Sequence, residues 1–203
     1  MNANSAQFAA SNDLDLVHAS KNGNVAAFEQ LVKRYDRRLL RISQTVTRNR
    51  EDSEDAVQEA LLKAFQNLVE FREDSQFSTW LIRITLNESF MKLRKQRGIM
   101  EQSVDSDVYA DSDSERLPFD VADWAPSPEA LYRASEFREI LINSLKRLSP
   151  ARKVVFVLRD IEEYSLNETA EILNLNVTAV KTRLSRARLQ LREELSKYFK
   201  KPE

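Results

Sequence analysis

"SLNETAEILNLNVTAVKTRLSRARLQLREEL", residues 165–195, decides how the chain reads. Ser165 and Glu168 have capping-box spacing, in which a hydroxyl and a carboxylate each accept the other residue's backbone N–H. That predicts a short helix over about 166–173, with Ala170 and Ile172 turned inward. "NLNV" interrupts it, Asn174 is a residue type that tolerates a left-handed backbone, and Asn176 can cap a second helix starting near Val177. On the second helix Val180, Leu184, Ala187 and Leu191 share one face, while Lys181, Arg183, Arg186 and Arg188 fall largely off it. Two helices joined by so short a turn form a helix-turn-helix, whose second member enters the DNA major groove. Basic side chains at its front can meet phosphates or pair with guanine edges. A solvated basic face is the plainer alternative, but the capped helix, short turn and basic front together favour nucleic acid.

The rest of the chain narrows the choice. Net charge is −1, from 31 basic and 32 acidic residues, so any affinity for nucleic acid must come from local segregation of charge. Two glycines, Gly23 and Gly98, cannot build phosphate cradles or many hairpin turns, which favours an all-α chain. The absence of cysteine and a single histidine, His18, remove disulfides, thiolate zinc sites and most histidine-based catalysis. No metal-spaced carboxylate cluster, nucleophile–base pair or nucleotide loop is present, so no cofactor, metal site or enzymatic activity is expected. The longest aliphatic run, "VVFVL" at 154–158, is far short of the ~20 residues of a membrane helix. "MNANSAQFAASNDLDL" lacks the basic flank and apolar segment of a signal peptide, so a cytoplasmic protein with no membrane insertion of its own is expected.

Two helix-rich blocks flank a stretch of different chemistry. After a flexible tail, 1–13, a first domain spans 14–98. Phe28, Leu31, Val32, Tyr35, Leu39 and Ile42 recur at helical spacing. A second helix follows "REDSED", capped by Asp52 or Ser53, with Ala56, Val57, Ala60, Leu61, Ala64, Phe65 and Leu68 as its core stripe. A third starts near "DSQFSTW" and runs through Trp80, Leu81, Ile84, Phe90 and Leu93 to Gly98. From 99 to 130 the acids Asp105, Asp107, Asp111, Asp113 and their neighbours face one base, Arg116; such a segment reads as an extended, self-repelling linker. The second domain, 131–203, opens with apolar residues at helical spacing (Leu131, Phe137, Ile140, Leu141, Leu145). A helix begun by Ser149 and Pro150 follows, and then the helix-turn-helix.

"AVKTRLSRARLQL" resembles the region-four recognition helix of extracytoplasmic-function sigma factors of bacterial RNA polymerase. "AFEQLVKRY", "DSEDAVQEALLKAF" and "FREDSQFSTWLIRITLNESFMKLRKQR" resemble region two of the same family, in the same order and spacing. The likeness covers about 14–98 and 131–198. It implies that Lys181, Thr182, Arg183 and Arg186 contact the minus-thirty-five element. It implies further that Phe77, Ser78, Thr79 and Asn87 capture minus-ten bases, with Arg83, Lys92, Arg94, Lys95 and Arg97 lining the strand. Trp80 shares the apolar face of Leu81 and Ile84 and reads as core, whereas Phe77 stays open between core and base capture. Asp55, Gln58 and Glu59 would dock on the clamp helices of the largest polymerase subunit, with the flap of the second subunit as a further contact and an anti-sigma factor as a regulating partner.

Two departures from the family pattern stand out. Asn174 replaces the usual turn glycine, and Met91 replaces an aspartate four residues after Asn87, which leaves the promoter sequence open. Rival readings are an operator-binding regulator, which leaves the N-terminal match without a purpose, and a sigma-like decoy that titrates an anti-sigma factor, which need not keep Lys181, Arg183 and Arg186. Resemblance also suggests that the acidic linker threads toward the polymerase active-centre cleft, with a passive spacer as the alternative.

Overall fold

The computed structural model describes residues 11–47, 49–96 and 140–199, which fall into an N-terminal and a C-terminal compact unit. Among the described residues there is no strand, and no helix is long and apolar enough to cross a membrane. The segment expected as an acidic linker lies outside them, as do Arg97, Leu131 and Phe137.

The N-terminal unit begins with a helix that apolar spacing does not announce, α1 (Asp13–Lys21). Asn12 caps it, accepting the Asp15 N–H at 2.8 Å, and only Leu16, Val17 and Ser20 are buried along it. The Asp13 carboxylate takes the Arg34 guanidinium and the Tyr35 hydroxyl, so the end of the expected tail is tied to the next helix. That helix, α2 (Val25–Thr47), buries Phe28, Leu31, Tyr35, Leu39 and Ile42 as their spacing predicts, with Val32 half-buried.

The next helix, α3 (Arg50–Gln66), starts earlier than expected. Its cap is Asn49, whose side chain accepts the Asp52 N–H at 2.8 Å, rather than Asp52 or Ser53. Ser53 is buried inside the first turn and donates to the Asn49 carbonyl at 2.5 Å. Ala56, Val57, Ala60 and Ala64 face inward; Leu61 is half-buried, and Phe65 is exposed with its ring 5.0 Å from that of Phe28. A 3-10 turn (Leu68–Glu70) and a loop with Glu73 in the left-handed region lead into α4 (Phe77–Gln96).

Buried positions on α4 come in pairs one four-residue step apart, Phe77 and Ser78, Leu81 and Ile82, Thr85 and Leu86, Ser89 and Phe90, widened at the two ends by Thr79 and Glu88. Such pairing marks a helix covered over a wide arc, since it packs against both α2 and α3. Trp80, Ile84 and Leu93, expected in the core, are only half-buried because hydroxyl residues hold core positions that an apolar pattern passes over. These hydroxyls form a small network where the three helices meet. Ser43 Oγ and Ser89 Oγ lie 2.8 Å apart, Thr47 Oγ1 and Ser53 Oγ 2.6 Å apart, and Ser89 Oγ donates to the Thr85 carbonyl at 2.7 Å. Small, mutually satisfied side chains let helices approach closely without leaving buried polar groups unpaired.

In the C-terminal unit the helical residues 140–146 form α5, and Ser149 caps α6 (Pro150–Phe156) by accepting the Arg152 N–H. A π turn, Val157–Ile161, extends α6. Both capping-box bonds open α7 (Leu166–Leu173): Ser165 N–H to Glu168 Oε2 at 2.8 Å and Glu168 N–H to Ser165 Oγ at 3.1 Å. Asn174 takes φ 50°, and Asn176 caps α8 (Val177–Phe199) by accepting the Ala179 N–H at 2.7 Å. Val180, Leu184, Ala187 and Leu191 are buried, the last two against Leu145 and Leu148.

Because Asn49 and not Asp52 closes the start of α3, Asn49→Ala is expected to lower the unfolding free energy by about 1 kcal/mol in a urea titration followed by helical circular dichroism. Leu86→Ala, which empties a fully buried site, is expected to cost ~2–5 kcal/mol in the same measurement.

Candidate nucleic-acid interface

At 3.6 residues per turn each step rotates about 100°, which sorts the side chains of α4 by direction. Trp80, Arg83, Asn87, Met91 and Arg94 share the arc opposite the buried pairs; Asn87 and Met91 are exposed, and the others half-buried. Lys95 is exposed at the edge of this arc. The face therefore offers two guanidinium groups, an ammonium, an amide able to donate and accept, and one indole edge.

Phe77, Ser78 and Thr79 do not join that face. Phe77 is 2 % exposed, and its ring lies 5.9 Å from Tyr35, 5.7 Å from Phe71 and 5.8 Å from Trp80 in a cluster under the loop before α4. Ser78 and Thr79 are buried with it. The open reading of Phe77 thereby resolves to the core, and Trp80, expected there, is instead half-buried, stacked at a tilt 5.2 Å from Phe71 with solvent beside it. Rotation explains this, since Trp80 sits about 60° from Arg83 and so on the outward side.

The loop is pinned from α1. Lys21 Nζ donates to the Phe71 carbonyl at 2.7 Å and to Glu73 Oε1 at 3.0 Å, and lies 5.5 Å over the Phe71 ring; His18 Nε2 approaches the same Glu73 oxygen at 2.9 Å. These bonds, Lys21 first and His18 second, hold the Glu73 carboxyl below its ordinary value of 4.5. Nothing in the sequence pattern pointed to this clamp, because its partners lie some fifty positions apart.

Lys92 also departs from expectation. It turns toward α3, with Nζ 2.9 Å from Asp55 Oδ2 and 3.5 Å from Glu59 Oε1. The hydrogen bond to Asp55 raises the Lys92 pKa, so its charge is secure. On α3, Asp55, Gln58 and Glu59 are exposed together, and the same face continues through Leu62 and Phe65, 57 % and 44 % exposed. Helical spacing places Phe65 in the core stripe, so the pattern gives no sign of this exposed apolar pair.

On α8 the arc opposite the buried residues carries Thr178, Thr182, Ser185, Arg186 and Leu189, all exposed, with Lys181 exposed on one flank. Arg183 lies at the other flank and is half-buried. Arg188 is held back: its guanidinium is bidentate on Asp160, at 2.9 Å and 2.6 Å, where the π turn brings that carboxylate alongside α8. Of the residues expected at the minus-thirty-five element, Lys181, Thr182 and Arg186 point outward as a group. Thr178 and Ser185, with no charge to draw notice, share their arc.

A profile of sigma-70 region 2 matches residues 31–99, and one of sigma-70 region 4 matches residues 138–191. The ECF RNA polymerase sigma factor SigW of Bacillus subtilis is 32% identical over 86% of this chain and 92% of that protein. The chain belongs to the extracytoplasmic-function sigma factors. The ECF RNA polymerase sigma-E factor of Escherichia coli K12 is likewise 32% identical, over 87% of this chain and 90% of its own length. Among solved structures, CnrH in complex with the cytosolic domain of CnrY shares 27% identity, with a TM-score of 0.63 over 91% of this chain and 97% of that one. As a sigma factor the protein acts in transcription initiation, and its outward faces on α4 and α8 lie in the matched regions two and four respectively.

The lowered Glu73 pKa fixes the sign of a pH effect. The clamp contributes stability above the carboxyl's ordinary value of 4.5 and loses it as pH falls through the lower folded value. Glu73→Gln is therefore expected to lower the thermal midpoint at neutral pH, the difference from wild type shrinking as the solution is acidified below the ordinary carboxyl value of 4.5.

Proposed function

We propose that this sigma factor binds core RNA polymerase in the cytoplasm, directs it to a set of promoters and helps to open them, with no catalysis of its own. Its working parts are a region-two domain over about 14–98, a connector over 99–130 and a region-four domain over 131–203. One observation carries the reading: in a chain of this family, α4 and α8 each keep a polar, cationic arc clear of their own cores.

On α8, Lys181, Thr182 and Arg186 read the minus-thirty-five element, with Arg183 bracing the flank nearest the core. Arginine and lysine pair with base edges or fix register on phosphate. On α4, Asn87 meets an extruded minus-ten base, while Arg83, Arg94 and Lys95 follow the strand backbone, and Arg97 continues that basic run in the sequence. The buried Phe77, Ser78 and Thr79 support this surface from beneath, and the exposed edge of Trp80 is the available stacking surface, base–aromatic stacking being worth ~1–3 kcal/mol. Asp55, Gln58 and Glu59 dock on the clamp helices of the largest polymerase subunit, their charges flanking the apolar Leu62 and Phe65; region four meets the flap of the second subunit. A protein of anti-sigma type covers one of these faces to hold the factor inactive. CnrH, the 27% identical neighbour, was solved in complex with the cytosolic domain of CnrY.

Run-off transcription with purified core polymerase tests the reading. Specific initiation that depends on the chain is expected; DNA binding without core, and no transcript, would overturn it in favour of an operator-binding regulator. Lys181→Ala and Arg186→Ala are each expected to weaken use of the preferred promoter by ~1–3 kcal/mol where the contact is to a base edge. A phosphate contact would instead weaken all promoters alike and reduce the salt slope of binding by about one.

A further inference from the structure

Lys92 lies five residues beyond Asn87, which places it about 140° around α4 from that amide. It cannot share the outward arc with Arg83 and Asn87, and its ammonium is already directed at α3, 2.9 Å from Asp55 and 3.5 Å from Glu59. Its side chain is 22% exposed, whereas those of Asp55 and Glu59 are 54% and 53% exposed. One turn away an ion pair of opposite sense, Lys63 Nζ to Glu88 Oε1 at 2.7 Å, joins the same two antiparallel helices. The two bridges fix the register of α3 on α4, but only the Lys92 bridge ends on carboxylates that face solvent.

Asp55 and Glu59 stand at i and i+4, where two like charges repel. An ammonium between them lowers that repulsion and favours the orientation of each carboxylate that faces it. Among the described residues it takes one oxygen from each, Asp55 Oδ2 and Glu59 Oε1. A partner then meets two charged groups whose ordering cost has already been met by the fold, which is the advantage of preorganisation.

Resting on the reading of Asp55 and Glu59 as polymerase-facing groups, we propose that Lys92 is a positioning residue for core polymerase docking rather than a contact to the promoter strand. It presets the two carboxylates of α3 from behind, and the basic groups on the polymerase meet the oxygens it leaves open.

The test uses the full chain and purified core polymerase, with affinity measured by equilibrium competition. Lys92→Met, which keeps length and removes charge, is expected to weaken core binding about tenfold, the effect of freeing two charged side chains. Lys92→Arg restores most of it. In an Asp55→Asn, Glu59→Gln background Lys92→Met adds no further loss, because the groups it positions are gone. At saturating factor, open complexes made with Lys92→Met keep the wild-type salt slope of their lifetime, since no strand phosphate has lost a partner. Unchanged core affinity would overturn the proposal. So would a salt slope reduced by about one, which marks a lost phosphate contact, or a core-binding loss that persists undiminished in the neutralised background, which marks general misfolding. Failure of the wild-type chain to bind core at all removes the docking reading itself, whereas equal binding by wild type and Lys92→Met removes only the assignment of Lys92.

Discussion

A helix has a single circumference, and in region two that circumference is divided three ways. On α4 the inner arc is buried against α2 and α3, one edge carries Lys92 and Glu88 to ion partners on α3, and what remains faces outward. On α3 the inner arc is built from Ala56, Ala60 and Ala64, so the helices approach closely and the opposite arc is left whole for Asp55, Gln58, Glu59, Leu62 and Phe65. Close approach also explains the buried hydroxyls. Ser43, Ser53 and Ser89 are small enough for the junction, and each satisfies another or a nearby carbonyl, where a larger apolar residue would force the helices apart. The outward faces are thus a remainder, defined by what the core and the inter-helix bridges have already claimed.

In region four the same division is made by polar devices at helix ends. The capping box at Ser165, the left-handed Asn174 and the Asn176 cap together set the angle at which α8 leaves α7. Each cap is worth about 1 kcal/mol, modest beside the burial of Val180, Leu184, Ala187 and Leu191, whose single stripe sets the rotation of α8 about its axis. The bidentate Arg188–Asp160 pair ties one flank of α8 to the π turn. It is partly exposed and so contributes little stability by itself. The π turn is what brings Asp160 to this place: one extra residue in the turn shifts the carboxylate relative to a regular helix.

Local rules made most of region four legible. Both helix starts and the left-handed residue depend on contacts no more than a few residues apart, which spacing in the sequence carries directly; the four buried positions of α8 show in their helical spacing, although their partners, Leu145 and Leu148 among them, lie far off in the chain. Region two was legible in its helices and less so in their faces. Helix α1 escaped notice because it buries little apolar surface, and the α3 cap was misplaced because Asn49, Asp52 and Ser53 are all competent cap residues within one turn. Trp80 reads as core in the sequence but is half-buried, and Phe77 stays undecided there, because serine and threonine occupy core positions on α4 and blur the boundary of an apolar stripe. The clamp on Glu73 and the bridge from Lys92 join residues far apart in sequence, and no periodicity encodes such pairs.

Region two also carries opposite charges on separate faces of a small bundle. Electrostatic influence at physiological salt decays over ~8 Å, so local segregation of charge matters even though the chain as a whole is nearly neutral. Under the proposed function a polyanion would be steered to α4 and a basic protein surface to α3, which would sort two partners without a large net charge. Lys92 lies at the boundary. Left unpaired it would add to the cationic field and soften the contrast; bonded to Asp55 and Glu59 it lowers the repulsion between them while leaving the cluster net negative, so the faces stay distinct. The division of the helix circumference, set by the core, and the division of charge therefore meet at the edge of α4 that Lys92 and Glu88 occupy.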